Sequence, residues 1–393
     1  MYLTKEEERI YDGELGWAKQ VCMKILVKLG ELFDAERLIP IDSAHVSGVS
    51  YKTLGEAPTD FLKALAFANE KTKVEATLNP QSFDPEYLRK RLPEQLFKKQ
   101  LDILQSFEMM GFKPSYTCTP YYIREPEKNS HHAWAESSAV VYANSVLETW
   151  TNREGGPSAL AAAIIGKTPD CGMHKSVNRK PNILVKVEKA PKSEIEYGAL
   201  GIFLGKLLGD KIPLIKGLKN PANEYLKQLG AALGSAGMVN MFHYRDTTTK
   251  AEMLEKVTVE PNNIMETIAE LTTATSSPPK PDLIFVGCPH CSLNEIRKIA
   301  NALSGKKIKD NIEFWVCTSR HVKEKAKGYA QKIEASGAKV ITDTCAVVTW
   351  TDKLGMKTIM TNSAKTAHYA PTLNKANTIL TPLKECLKTA LKE

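Results

Sequence analysis

The chain has no apolar run of the roughly 20 residues that a bilayer-spanning helix needs. Its first nine residues, MYLTKEEER, are charged where an export signal would be apolar. Neither feature suggests a membrane anchor or a secretory leader, so the expected compartment is the cytoplasm. Aromatic residues are few, 7% of the chain, and no basic stripe interleaved with them is visible. Nucleic acid is therefore not an expected partner, even at a net charge of +8. No period of about 20–50 residues recurs, which excludes a solenoid. The turn Gly155-Gly156-Pro157-Ser158 opens a helix but lacks the lysine and spacing of a P-loop. A single CxxC, Cys288 to Cys291, has no second copy, which argues against a four-thiolate zinc site.

What is present is an ordinary globular composition, 42% hydrophobic and 25% charged over 393 residues, enough for two or three domains. Many lysines fall in mixed-sign, helix-like stretches such as 63–73 and 384–392, as a solvated face would. The remaining positive charge suffices for a small phosphorylated or carboxylated substrate, since one site needs few charges. Eight cysteines in a long cytoplasmic chain do not suggest a disulfide framework. Metal binding or burial is the expected explanation.

Apolar periodicity predicts a helix over 5–31 with Gly30 available to cap its end, a strand over 37–41, and a polar strand-to-loop transition over 42–50. Another strand-like run, 74–78, ends at Asn79-Pro80, and a long helix is expected from Gln95 to Met110. Cys118, between two threonines and followed by a proline residue at 120, is expected at a strand end or turn. Strand-like runs at 183–187, 198–204 and 212–215 suggest a small α/β domain, and the proline-rich run 273–281 reads as a linker. Beyond it, runs 283–286, 312–316 and 339–342 alternate with helix-like segments 293–303 and 322–335, a β-α-β-α-β unit. Cys288, Cys317 and Cys345 stand just past or at the ends of those strands, at the edge where open parallel sheets bind ligands.

Thiolates brought to such an edge commonly hold iron–sulfur clusters or zinc. Three readings of the CxxC remain open at this point: a redox pair, a zinc site, or a cluster held by Cys288 and two of Cys118, Cys291, Cys317 and Cys345. Three protein thiolates would leave one metal position open, the arrangement of a Lewis-acid catalyst. Cys22 and Cys386 read as packing residues, and Cys171 stays in play.

Six separated motifs in order then add a resemblance: DSAHVSGVSY from Asp42, YTCTPYY from Tyr116, NREGGPSALAAAIIGKTP from Asn152, GCPHCSLNEI from Gly287, DTC ending at Cys345, and NSAKTAHYAP from Asn362. Together they resemble the large subunit of the aconitase X family over essentially the whole chain. The resemblance implies an aconitase-like α/β fold of three domains with mostly parallel sheets, assigned to 1–180, 181–280 and 281–393, and lacking the swivel domain. That domain is expected on a separate small subunit, giving a heterodimer. It further implies a 4Fe–4S cluster on Cys118, Cys288 and Cys345, with Cys291 and Cys317 as neighbours. Substrate contacts are implied at Gly48, Val49 and Ser50, at Asn79 and Pro80, at Glu136 and Ser137, and at Lys365. Asn144, Ser145 and Arg153 lie in the same motif block. Residues 146–150 and 174–179 depart from the family pattern. The implied activity is dehydration of (R)-5-phosphomevalonate to trans-anhydromevalonate 5-phosphate, an isoprenoid precursor step, with the general base on the partner. The alternatives are dehydration of cis-3-hydroxy-L-proline, or a non-catalytic cluster- or metal-binding subunit.

Overall fold

The computed structural model describes residues 1–84, 86–245, 254–275 and 280–392. The chain forms two compact units, one made of Met1–Gln81 and Pro93–Lys180, the other of Ser82–Leu92 and Pro181–Glu393. Among the described residues no helix is long and apolar enough to cross a membrane.

In the first unit, strands β1 (Leu38–Pro40), β2 (Ser43–Val46), β3 (Glu75–Leu78), β4 (His131–Trp134), β5 (Trp150–Arg153) and β6 (Lys167–Pro169) make two sheets. A parallel sheet runs in the order β3-β2-β4-β5, and β1 pairs antiparallel with β6. The alanine-rich helix Gly156–Ile165 is buried on every side, packed against Trp17–Leu32 and β2. Small side chains allow that close approach. The predicted 5–31 helix is instead two, Lys5–Asp12 and Trp17–Leu32, because Gly13 and Gly16 both adopt positive φ between them. Gly30 is not a cap. It lies inside the second helix, where a Cβ would come within 2.6 Å of the Met1 sulfur.

In the second unit, β7 (Ile183–Val187), β8 (Pro213–Lys216) and β9 (Glu255–Val259) form a parallel sheet ordered β8-β7-β9. Strands β10 (Leu283–Val286), β11 (Glu313–Thr318), β12 (Lys339–Thr342), β13 (Thr358–Thr361) and β14 (Asn377–Leu380) form a second, ordered β12-β11-β10-β13-β14 and parallel throughout. The strand order reverses between β10 and β13, which opens a crevice beyond their carboxyl ends. Residues 276–279 of the expected linker lie outside the described residues. Just before them, Thr273 and Ala274 donate their N–H groups to the Thr378 carbonyl of β14.

The run 198–204 is helical rather than extended, part of Glu194–Leu208. Gly198, Gly201 and Gly205 share one helix face, and their lack of side chains lets other helices touch the backbone. A Cβ at Gly201 would stand 2.6 Å from both Ala232 Cβ and the Leu229 carbonyl of helix Asn223–Ala236, and one at Gly198 would stand 2.7 Å from Ala364 Cβ. Glycine was a helix-packing signal here, not a turn signal. Gly201→Val is expected to destabilise the protein by about 1–3 kcal/mol through overpacking, read as a lower urea midpoint at unchanged slope.

Candidate active site at two sheet edges

Parallel strands deliver the loops that follow them to one edge. In the first unit the order reverses between β2 and β4, and the segments at that reversal carry Ser47 to Ser50 and, running into a helix, Ala135 to Ser138. Asn79 follows β3, with its N–H donating to Val46 O at 2.9 Å. Cys118 is buried beside the same strand end, since Thr117 N donates to Leu78 O at 2.8 Å. The hydroxyls of Thr117 and Thr119 meet at 3.1 Å and hold the turn.

A hydrogen-bonded chain runs across this edge. Asn79 Nδ2 donates to Glu136 Oε2 at 2.8 Å, so Asn79 Oδ1 faces His45 Nε2 at 2.9 Å. An acceptor there requires the proton on Nε2, leaving Nδ1 to accept from Thr77 Oγ1 at 2.7 Å. Glu136 Oε1 in turn accepts from Ser138 N and Oγ. His45 is wholly buried, and desolvation pushes its pKa down to about 4, so it is neutral. The half-buried Glu136 carboxylate is thereby aimed by a rigid neutral imidazole through Asn79.

The loop 48–50 is fixed from behind. Gly48 has φ +80. Gln100, buried in helix Glu94–Met109, donates to Val49 O at 2.8 Å and accepts from Tyr51 N at 2.9 Å. Neither His45 nor Gln100 was singled out from sequence. The available signal was Gln100 itself, a polar residue in phase with Ile103 and Phe107 on the helix's buried face. Ser137 opens the helix Ser137–Tyr142, and Pro80 follows Asn79 directly. Ser145 lies in the π-helical turn Ala143–Leu147. Asn144, by contrast, is committed to the scaffold: its Nδ2 donates to Thr151 O, and its Oδ1 accepts from Thr151 N and Arg179 Nη1. Arg179, in the atypical segment, stacks on Trp150 at 4.4 Å and donates to the Asn144, Thr149 and Met173 carbonyls. It pins the 144–150 stretch.

In the second unit, Cys288 follows β10 and Lys365 follows β13, one on each side of the order reversal. Gly287 has φ +110, and a Cβ there would lie 2.2 Å from Cys317 O, so only glycine fits. Cys345 comes three residues after β12 ends, past Asp343, whose φ of 67 turns the chain and whose carboxylate is gripped by Arg320. Burial pushes the Cys345 thiol up to about 12, the nearby Cys288 adds to this, and the N–H groups of Val348 and Val347 and the Lys365 ammonium pull the other way. Cys317 is different. It lies inside β11, fully buried, and burial raises its pKa strongly, with Cys345, Cys291, Asp84 and Cys288 adding to the rise and no group opposing it. Cys291 is likewise fully buried, its N–H donating to Cys317 O. No cysteine is in a disulfide.

Around this edge several buried polar atoms have no protein partner: Gln228 Oε1, Thr344 Oγ1, Asn362 Oδ1 and Thr366 Oγ1. Such atoms cost free energy unless a ligand meets them. Among the described residues, no three His, Cys, Asp or Glu side chains converge closely enough to hold a single ion.

Domain models of one family match nearly the whole sequence: aconitase X first domain over residues 1–177, second domain over 181–272 and third domain over 281–392. The chain belongs to the aconitase X family. It is 45% identical to the phosphomevalonate dehydratase large subunit of Methanocaldococcus jannaschii, covering 99% of this chain and 100% of that one. It is 31% identical to the cis-3-hydroxy-L-proline dehydratase of Pseudomonas aeruginosa, covering 98% of this chain and 69% of that one. The crystal structure of Thermococcus kodakaraensis aconitase X in its holo-form superposes with a TM-score of 0.91 at 41% identity, covering 99% and 100% of the two chains.

Two stability predictions follow from these contacts. Burial lowers His45 and His132 to about 4 and His174 to about 3. Unfolding lets each take up a proton near the ordinary 6.5, so their contribution is complete above that value and is lost as pH falls toward 4. Each adds a slope of up to about 1.4 kcal/mol per pH unit. Asp343, raised to about 6 by burial, works in the opposite sense over part of that window and offsets roughly one histidine. Urea unfolding should therefore show lower stability at about pH 5 than at about pH 7.5. Separately, the Lys227 ammonium is almost wholly buried and paired with Glu295 at 2.5 Å. Lys227→Met should cost about 3–5 kcal/mol in the same measurement by stranding that carboxylate.

Proposed function

We propose that this chain is the large subunit of a hydro-lyase that dehydrates (R)-5-phosphomevalonate to trans-anhydromevalonate 5-phosphate. The observation that carries this reading is correspondence over 88–99% of this chain, at 38–45% identity, with five archaeal phosphomevalonate dehydratase large subunits. The two cis-3-hydroxy-L-proline dehydratases stand lower, at 30–31%, and this chain spans about two thirds of their length.

The thiols suit an iron–sulfur cluster by donor chemistry. Cys345 receives two backbone N–H groups and lies near a lysine, both of which favour the thiolate. Cys288 lies close enough to raise its pKa, and unpartnered polar atoms surround the pair. Cys118, Cys288 and Cys345 would hold a 4Fe–4S cluster. When bound, it supplies a Lewis-acidic iron with an open position for the substrate hydroxyl.

The remaining roles fall to side chains and backbone of this chain. Lys365, in the first turn of helix Ala364–Leu373, offers a charge-assisted donor for a carboxylate or phosphate. The amides of Gly48, Val49 and Ser50, held in place by Gln100, offer further donors to an anionic oxygen. Asn79, Pro80, Glu136 and Ser137 line the neighbouring loops, with Glu136 oriented through Asn79 by His45. Asn144 acts indirectly, by shaping the stretch that carries Ser145. Dehydration breaks the carbinol C–O bond and removes a proton from the adjacent carbon, acidified by the carboxylate, to form the double bond and water. The proton acceptor is assigned to a small swivel-domain partner subunit.

Anaerobic mixing of this chain with that subunit should yield an enzyme that dehydrates phosphomevalonate, followed by product formation. Turnover of cis-3-hydroxy-L-proline alone would refute the substrate assignment. Cys288→Ser should abolish the broad thiolate-to-iron absorbance, and an unchanged spectrum would remove Cys288 from the ligand set.

A further inference from the structure

The two cysteine loops of the second unit are joined by a side chain with no assigned role. His290 is fully buried, two residues after Cys288, and its Nε2 lies 3.2 Å from the carbonyl of Thr344, the residue before Cys345. A carbonyl only accepts, so Nε2 carries the proton and donates. The loop holding this imidazole is itself anchored. Lys227 Nζ donates to His290 O at 3.1 Å and to Glu295 Oε2 at 2.5 Å, while the adjacent Gln228 Nε2 donates to Cys288 O at 3.3 Å. Glu295 also accepts from Ser292 N at 2.8 Å and caps helix Leu293–Leu303, which begins directly after the CxxC. Thr318 Oγ1 donates to Cys291 O at 2.7 Å, tying the far end of the loop to β11.

We propose that His290 is a positioning residue, a brace whose Nε2–H to Thr344 hydrogen bond sets the separation of Cys288 and Cys345 so that both can engage the same iron–sulfur cluster. The proposal rests on the cluster reading above. Those anchors hold the Cys288 loop on Lys227, Gln228 and Thr318 and do not tie it to the loop of Cys345, because the two cysteines follow different strands, β10 and β12, with β11 between them. The imidazole spans that gap directly. Groups outside the ligands that orient them are worth about 10- to 100-fold in metal affinity.

The test uses the full chain and two variants that differ in reach. The amide nitrogen of His290→Gln falls near the position of Nε2, whereas that of His290→Asn stops short. Each protein is loaded anaerobically with iron and sulfide, iron and sulfide per chain are measured, and the bleaching of the cluster absorbance by a chelator is timed. His290→Asn is expected to lose its cluster about 10- to 100-fold faster than the parent, with circular dichroism unchanged, and His290→Gln to recover most of the difference. A folded His290→Asn that holds its cluster as long as the parent would overturn the brace. So would His290→Gln losing the cluster as fast as His290→Asn, because the donor's reach would then not matter. Should His290→Asn fail to fold, the parent-to-Gln comparison decides: retention within a few-fold supports the brace, and loss by the full factor counts against it. A parent chain whose iron uptake is unaffected by Cys288→Ser would instead overturn the cluster reading, and the brace with it.

Discussion

A sulfur atom that must become an anion is being held out of water, and the second unit is arranged around that cost. Burial, with nearby anionic groups adding to it, raises the thiols of Cys291 and Cys317 far above their ordinary value; the Lys227 ammonium offsets part of this at Cys291, and neither thiol receives backbone N–H donors. Cys345 is as deeply placed, yet it faces two backbone N–H groups and the field of Lys365. Depth is shared and donation from the backbone is not. The difference separates a core thiol from one suited to carry charge, and it comes from where each strand stops. β11 continues to Thr318 and absorbs Cys317, whereas β12 ends at Thr342 and releases Cys345 into a turn.

The first unit solves a related problem with neutral groups. A carboxylate at a sheet edge is easily misdirected, and Glu136 is aimed by an amide that is aimed by an imidazole. Because His45 is too deeply buried to protonate near neutrality, the direction of every donor in the chain is fixed by the groups at its ends. Gln100 performs the same service for the loop after β2 through two opposed backbone contacts.

Much of this was legible in the sequence because parallel sheets convert linear order into position. A motif written just after an apolar run lands on the ligand-binding edge, which is why Asn79 and Cys288 could be placed by pattern, whereas Glu136 came only from the family resemblance. The failures have physical causes. The run 198–204 reads as extended because the purpose of its glycines, contact with other helices, lies far away in the chain. β13 and β14 were not singled out, so the order reversal beside Lys365 was invisible. His45, Gln100 and His290 act through partners 32 to 54 positions away, a separation that no local spacing encodes.

The short segment Ser82–Leu92 belongs to the second unit although the stretches on either side of it belong to the first. Arg91 forks onto Glu313 with two hydrogen bonds, Tyr87 reaches the same carboxylate, and Asp84 Oδ2 accepts from Thr342. The polypeptide therefore passes from one unit to the other three times. During synthesis this early segment must wait for some 220 residues of later chain before Glu313 exists to receive Arg91. Neither unit can be cut out as an uninterrupted piece, and a fragment beginning at residue 181 would leave the β11 and β12 border of its sheet without a native cover.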